Sequence, residues 1–415
     1  MNNGTTTNHT YSLALLSTLF FMWGFITVLN DILIPHLKGL FDLNYTRTML
    51  IQFCFFGAYF ITSIPAGAII SKIGYKKGIV MGLSITGLGA LLFFPASILI
   101  SYTFFLTALF ILASGITILQ VAANPFVAVL GPPETASSRL NLTQAINSLG
   151  TTIAPLFGSL LILDATGVHR SPAEEAASVQ GPYIGIALLL GLIAVLIAIS
   201  KLPSINDATM EQYHETNHYG KKSAWQYGHL MRGAIAIFLY VGGEVTIGSF
   251  MVNYLMEPQI GGLAEADAGK YVSFYWGGAM VGRFIGAAIL QRIKPQLLLT
   301  TCAIAAIVLI LISTNTTGPI AMYSIIAVGL FNSIMFANIF TMSMSGLGKY
   351  TGQGSGILCM AIVGGAIVPV ATGFLADQIG LQQALMAVIL CYAYILYFGT
   401  TGYQLDRDKK RNTIL

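Results

Sequence analysis

The chain has 415 residues, of which 55% are hydrophobic and only 9% charged. Its mean hydropathy is +0.75. An ordinary soluble domain is about 25% charged, so this composition excludes a soluble fold and points to a helical protein that crosses a membrane many times. The net charge of +4 is too small and too scattered for nucleic-acid binding.

The first apolar run begins near Tyr11 and continues through Trp23 to Pro35. It exceeds the about 20 residues needed to cross a bilayer. No basic segment precedes it and it is too long for a signal-peptide core, so it reads as a retained first span. Asn30 and Asp31 lie in its outer half. A carboxylate there costs roughly 2.5–3.5 kcal/mol on insertion scales, so it turns toward protein or a water-filled cavity.

Apolar windows place the first six helices at 12–37, 46–71, 76–97, 103–130, 139–163 and 181–200. The second six fall at 230–256, 269–291, 297–314, 319–345, 354–376 and 382–402. The fold class expected is an all-α membrane protein of twelve transmembrane helices in two six-helix halves. The halves are 1–200 and 230–415, the second with a short tail, and a polar linker occupies 201–229. A segment of that length in a compact bundle joins halves rather than packing within one. With both termini placed in the cytoplasm, sixteen of the 20 Lys and Arg fall inside. Lys38, Arg47, Arg170 and Lys270 remain outside, as the positive-inside rule favours.

An internal repeat supports the same count. At a shift of about 214 residues, Ala123-Asn124-Pro125-Phe126 falls on Ala337-Asn338-Ile339-Phe340, Gly150 on Gly364 and Pro155 on Pro369. Asn30-Asp31 falls within one residue of Gly243-Glu244. Parallel repeats of this kind predict a ligand site at their interface, near the midplane.

Asp31 and its repeat mate Glu244 are the two acids well inside spans, and both are expected to couple a cation. Neither has a basic residue in its own helix at matching depth. The bland alternative for each is a structural hydrogen bond. Neutral polar residues mark the same layer and are candidates for binding substrate: Gln52, Gln120, Asn124, Gln144, Asn147, Asn253 and Asn338, with Trp276 as an aromatic wall. Gln120 and Asn124 are one turn apart on one face of a helix. Amides both donate and accept, which suits sugar hydroxyls, although interhelical bonds would use some of them. Lys72 and Lys76 after the second helix, and the deeper Arg283, are candidates for gating; positive-inside anchoring is the simpler reading of the two lysines.

Several chemistries lack their residues. There is no Walker phosphate loop, no His-Glu-x-x-His and no Gly-x-Ser-x-Gly. The cysteines Cys54, Cys302, Cys359 and Cys391 have neither metal-site nor redox spacing. An enzyme, a bound cofactor and a metal site are therefore not expected.

The twelve helices, the central loop and the turn Gly67…Gly74-Tyr75-Lys76-Lys77 resemble the major facilitator superfamily, with Ser71 where an Asp is usual. A closer resemblance spans nearly the whole chain, to the fucose–proton symporter family and its glucose/galactose branch. The residues that carry it are Asn30-Asp31-Ile32-Leu33, Ile64-Pro65-Ala66-Gly67, Ala122-Ala123-Asn124-Pro125-Phe126-Val127, Arg139-Leu140-Asn141-Leu142-Thr143-Gln144 and Asn147-Ser148.

The resemblance implies proton coupling at Asp31, a sugar cavity lined by Gln144 and Asn147, and an aromatic cavity position at Trp23. Gln120 stands where the fucose symporter has a Glu, which argues against fucose. The expectation is a monomeric cation-coupled hexose symporter of the inner membrane, with both termini cytoplasmic. A proton is the expected ion, with sodium as the rival. A drug–proton antiporter would want a more apolar cavity than the Asn141, Gln144, Asn147 stripe provides. A membrane sensor would need a signalling domain larger than the linker or tail.

Overall fold

The computed structural model describes residues 9–41, 45–161, 174, 177–200, 202–203 and 221–405. No strand occurs among them. A chain this apolar must satisfy its backbone N–H and C=O groups within each segment, which a helix does.

Twelve long helical elements result. They are α1 (His9–Leu40), α2 (Tyr45–Ile73), α3 (Tyr75–Ile98), α4 (Tyr102–Val129), α5 (Ala136–Leu161) and α6 (Gln180–Ile199). After the linker come α7 (Gly228–Met256), α8 (Glu265–Ile289) and α9 (Pro295–Asn315), then α10 (Gly318–Met344), α11 (Gly348–Ile379) and α12 (Leu381–Gly402). Ten of them are long and apolar enough to cross a membrane among the described residues. The two that fall short, α5 and α8, are the polar ones. The first carries Arg139, Asn141, Gln144 and Asn147, and the second Glu265, Asp267, Lys270 and Arg283.

The helices match the sequence windows in number and order, with shifts of a few residues at the ends. The windows at 354–376 and 382–402 each pass through a 3-10 turn, at Ala361–Val363 and Leu385–Ala387, and a third conceals a full break. The expected helix at 319–345 is two pieces, Gly318–Asn332 and Met335–Met344, separated at Ser333-Ile334. No Pro or Gly marks that point. The break coincides with side-chain bonds to Asn332 and with Arg283 Nε donating to the Ser333 carbonyl at 3.2 Å.

Two compact units form, and they cross the sequence halves at two places. The first comprises 1–131, 146–215 and 348–360; the second comprises 132–145, 216–347 and 361–415. In the first unit α3 packs on α4 and α6, and α2 packs on α4. The start of α11 joins this unit through backbone-to-backbone contact with α2. A Cβ on Gly67 would lie 2.6 Å from the Gly352 carbonyl oxygen, and one on Gly356 would lie 2.6 Å from that of Ser63. Small residues permit such approach between membrane helices.

A second joint in this unit depends on proline. Pro125 lacks an N–H, so the carbonyl four residues earlier, Val121, has no helical donor. Ser355 Oγ donates to that carbonyl at 2.8 Å. In the second unit α7 packs against α8, α10, α11 and α12. The first turns of α5 belong here: Ser138 Oγ donates to the Ala287 carbonyl at 2.5 Å, and Ser137 Oγ lies 2.6 Å from Thr341 Oγ1.

Candidate functional site

Each unit buries a polar layer. In the first unit, Gln120 and Asn124 stand one turn apart on α4 and are 2% and 0% exposed. Gln120 Nε2 donates to the Tyr59 hydroxyl of α2, and that hydroxyl also faces the Trp23 indole of α1. Gln120 Oε1 and both amide atoms of Asn124 have no hydrogen-bond partner. An unmet buried polar group costs about 1–3 kcal/mol, so these atoms are ready acceptors and donors.

Asn147 of α5 reaches α1, where Nδ2 donates to the Phe20 carbonyl at 2.8 Å. The two helices touch closely there, and a Cβ on Gly24 would lie 2.8 Å from Asn147 Nδ2. Trp23, half-buried, stacks obliquely on Phe20 with ring centroids 5.3 Å apart. Trp23, Gln120 and Asn147 thus stand on α1, α4 and α5 of one unit, with Tyr59 of α2 joining the first two. Asn30 and Asp31 in α1 and Gln52 in α2 have side chains outside the described residues.

The second unit is bonded differently. Glu244, in the middle of α7, accepts a hydrogen bond at Oε1 from the Tyr240 hydroxyl at 2.8 Å. Arg283 Nη2 of α8 lies 3.7 Å from the same oxygen. The Tyr275 hydroxyl donates to the Glu244 main-chain carbonyl at 3.1 Å. Asn332 Nδ2 donates to the Tyr275 hydroxyl at 2.8 Å, and the Tyr392 hydroxyl donates to Asn332 Oδ1 at 2.8 Å. One network therefore joins α7, α8, α10 and α12 at the break in α10.

The basic partner of Glu244 comes from the neighbouring helix and not from its own. Tyr240 could have been found by its spacing, four residues before the acid. Nothing local marks Arg283 or Tyr392 as belonging with it.

The remaining candidates divide. Asn338 is fully buried, accepting from Asn141 Nδ2 at 3.1 Å and donating to the Pro295 carbonyl at 3.3 Å. Gln144 is buried in the same unit. Trp276 is 41% exposed, with its indole over Gly248, where a Cβ would be 2.9 Å from the ring. Asn253 and Lys72 are exposed. Lys76 Nζ donates to the Ala198 and Ser200 carbonyls at 2.9 and 2.7 Å, at the end of α6. A cation there satisfies carbonyls the helix leaves open and complements its dipole. No group of three or more His, Cys, Asp or Glu able to hold a metal occurs among the described residues.

Comparison with known proteins gives this arrangement its context. Residues 13–362 match the model of the Major Facilitator Superfamily. A glucose/galactose transporter of Brucella abortus is 55% identical over 95% of each chain. The L-fucose-proton symporter of Escherichia coli is 36% identical, covering 93% of this chain and 92% of that one. The crystal structure of the E. coli fucose:proton symporter FucP superposes with a TM-score of 0.85 at 34% identity, covering 95% of this chain and 99% of that one. A proton:xylose symporter, XylE, shares the fold at a TM-score of 0.72 and 11% identity, covering 96% of this chain and 97% of that one. The chain belongs to the Major Facilitator Superfamily.

Proposed function

We propose that the protein is a symporter that brings a hexose such as glucose or galactose into the cell together with a proton, by alternating access. The observation that carries this reading is the likeness, along nearly the whole chain, to transporters named for glucose and galactose and for a proton. The buried amide atoms of Gln120 and Asn124 that lack partners fit it, because a sugar hydroxyl both donates and accepts.

In this reading Asp31 takes the proton, and neutralising it removes the cost of enclosing a charge. Membrane potential adds about 2.3 kcal/mol per charge per 100 mV, over tenfold in accumulation. Hexose binds among Trp23, Asn30, Gln52, Gln120, Asn124, Gln144 and Asn147. The rocking bodies are the six-helix halves 1–200 and 230–415, joined by the linker 201–229. The protein works as a monomer in the inner membrane, with both termini in the cytoplasm.

The test is uptake of a labelled sugar panel by proteoliposomes under a pH gradient alone or a sodium gradient alone. Concentrative uptake of glucose or galactose on the pH gradient is expected. Uptake driven by sodium and not by pH contradicts proton coupling. Failure to move any hexose on either gradient contradicts the substrate class.

A further inference from the structure

Glu244 was expected to load a cation, as the repeat mate of Asp31. Its surroundings point elsewhere. The two described groups that act on its carboxylate, the Tyr240 hydroxyl and the Arg283 guanidinium, are both measured at Oε1. No described residue donates to Oε2, and Oε2 is not among the sealed-in atoms that lack a partner. The side chain keeps 11% of its surface open. One oxygen is tied down, and no described residue ties the other.

The backbone beneath the acid is fixed as well. Tyr275 holds the Glu244 carbonyl, Asn332 orients Tyr275, and Tyr392 orients Asn332. The titratable and charged groups around the carboxylate are therefore Tyr240 on α7, Tyr275 and Arg283 on α8, and Tyr392 on α12, with uncharged Asn332 from α10. The Arg283 guanidinium and the Tyr240 hydroxyl both stabilise the ionised carboxylate at Oε1, against the cost of its burial. A carboxylate held this way is a pre-set, charged hydrogen-bond acceptor. Hydrogen bonds to an ionised acceptor are roughly twice as strong as neutral ones, and orientation by surrounding bonds lowers the cost of using it.

We propose that Glu244 is a substrate-positioning residue: Oε2 accepts a hydrogen bond from a hydroxyl of the bound hexose, and the residue carries no transported proton. Arg283 and Tyr240 act through it, holding Oε1 and leaving Oε2 for the sugar. This assignment rests on the reading of the protein as a hexose symporter. It implies discrimination at one ring position, because a site built to bond a hydroxyl rejects the analogue that lacks it.

The experiment is isothermal titration of purified protein with D-glucose, D-galactose and the monodeoxy glucose series, on the parent, Glu244→Gln and Glu244→Asp. The parent should bind one monodeoxy sugar about tenfold or more weakly than glucose, the loss expected for one hydrogen bond to a charged group. Glu244→Gln should weaken glucose by about the same factor and bind that analogue no worse than glucose. Glu244→Asp, which keeps the charge, should keep part of the discrimination. The proton-to-sugar ratio in proteoliposomes should be the same in Glu244→Gln as in the parent.

A merely structural role would weaken every sugar equally and leave the deoxy pattern intact, which overturns the assignment. So would unchanged sugar binding in Glu244→Gln, or a loss of proton movement in that variant. If the parent binds neither hexose nor any analogue, the functional reading itself fails and the assignment falls with it.

Discussion

Asn124 in α4 and Asn338 in α10 are matched by the internal repeat, and the two units treat them in opposite ways. Both are fully buried. Asn124 bonds to nothing through its amide, whereas Asn338 accepts from Asn141 and donates to the Pro295 carbonyl. The residue after each differs too. Pro125 opens a carbonyl that Ser355 fills, while Ile339 keeps its helix regular. The contrast teaches that a repeat conserves position without conserving task. The first unit keeps hydrogen-bonding capacity in reserve. The second ties α7, α8, α10 and α12 together through Glu244, Tyr275, Asn332 and Tyr392, and leaves Asn141 Oδ1 and Glu244 Oε2 among its uncommitted acceptors.

Several substitutions sharpen or break this contrast. Asn338→Leu removes two buried bonds and should destabilise the protein by about 2 kcal/mol, read as a lower thermal midpoint in detergent. Asn124→Leu replaces an unmet amide with an apolar group of similar size. It should leave the midpoint unchanged or raise it, while weakening hexose binding. Equal destabilisation by the two would mean that Asn124 is as firmly bonded as its mate.

Gly356→Ala tests the first unit's joint with α11. Its Cβ would press on the Ser63 carbonyl oxygen from 2.6 Å, and overpacking of this kind costs about 1–3 kcal/mol. The expected result is a lower midpoint and slower transport, and an unaltered variant would mean that the joint is loose. Ser355→Ala should cost about 1 kcal/mol, because it leaves the proline-freed Val121 carbonyl unmet. Restoring a donor with Ser355→Thr should recover most of it. Lys76→Met, which uncaps α6, should cost about 0.5 kcal/mol and leave transport kinetics unchanged. A large kinetic effect there would favour a gating role for the lysine over the cap.

The fold was largely legible because bilayer physics writes it into composition. Long apolar windows and a repeat at a fixed shift both act over many residues. The burial of Gln120, Asn124, Gln144 and Asn147 was legible for the same reason, since each stands out against an apolar background. What stayed hidden depends on pairs. Arg283 meets Glu244 across two helices, and no spacing within one helix announces such a meeting. The break in α10 carries neither Pro nor Gly, because side-chain bonds from α8 and α12 occupy it. The placement of 348–360 in the first unit rests on glycine contacts and one proline-freed carbonyl, and that of 132–145 in the second on bonds from Ser137, Ser138 and Asn141. Those features look like ordinary helix packing in the sequence.

The central claim is that the two matched acids do different work, with the proton on Asp31 and the sugar on Glu244. The most direct measurement is simultaneous proton and hexose flux in proteoliposomes for the parent, Asp31→Asn and Glu244→Gln. The account predicts coupled proton and sugar movement in the parent. It predicts sugar exchange without proton movement or accumulation in Asp31→Asn, and an unchanged proton-to-sugar ratio with weakened sugar affinity in Glu244→Gln. Concentrative, proton-coupled uptake by Asp31→Asn, or a changed ratio in Glu244→Gln, would contradict it.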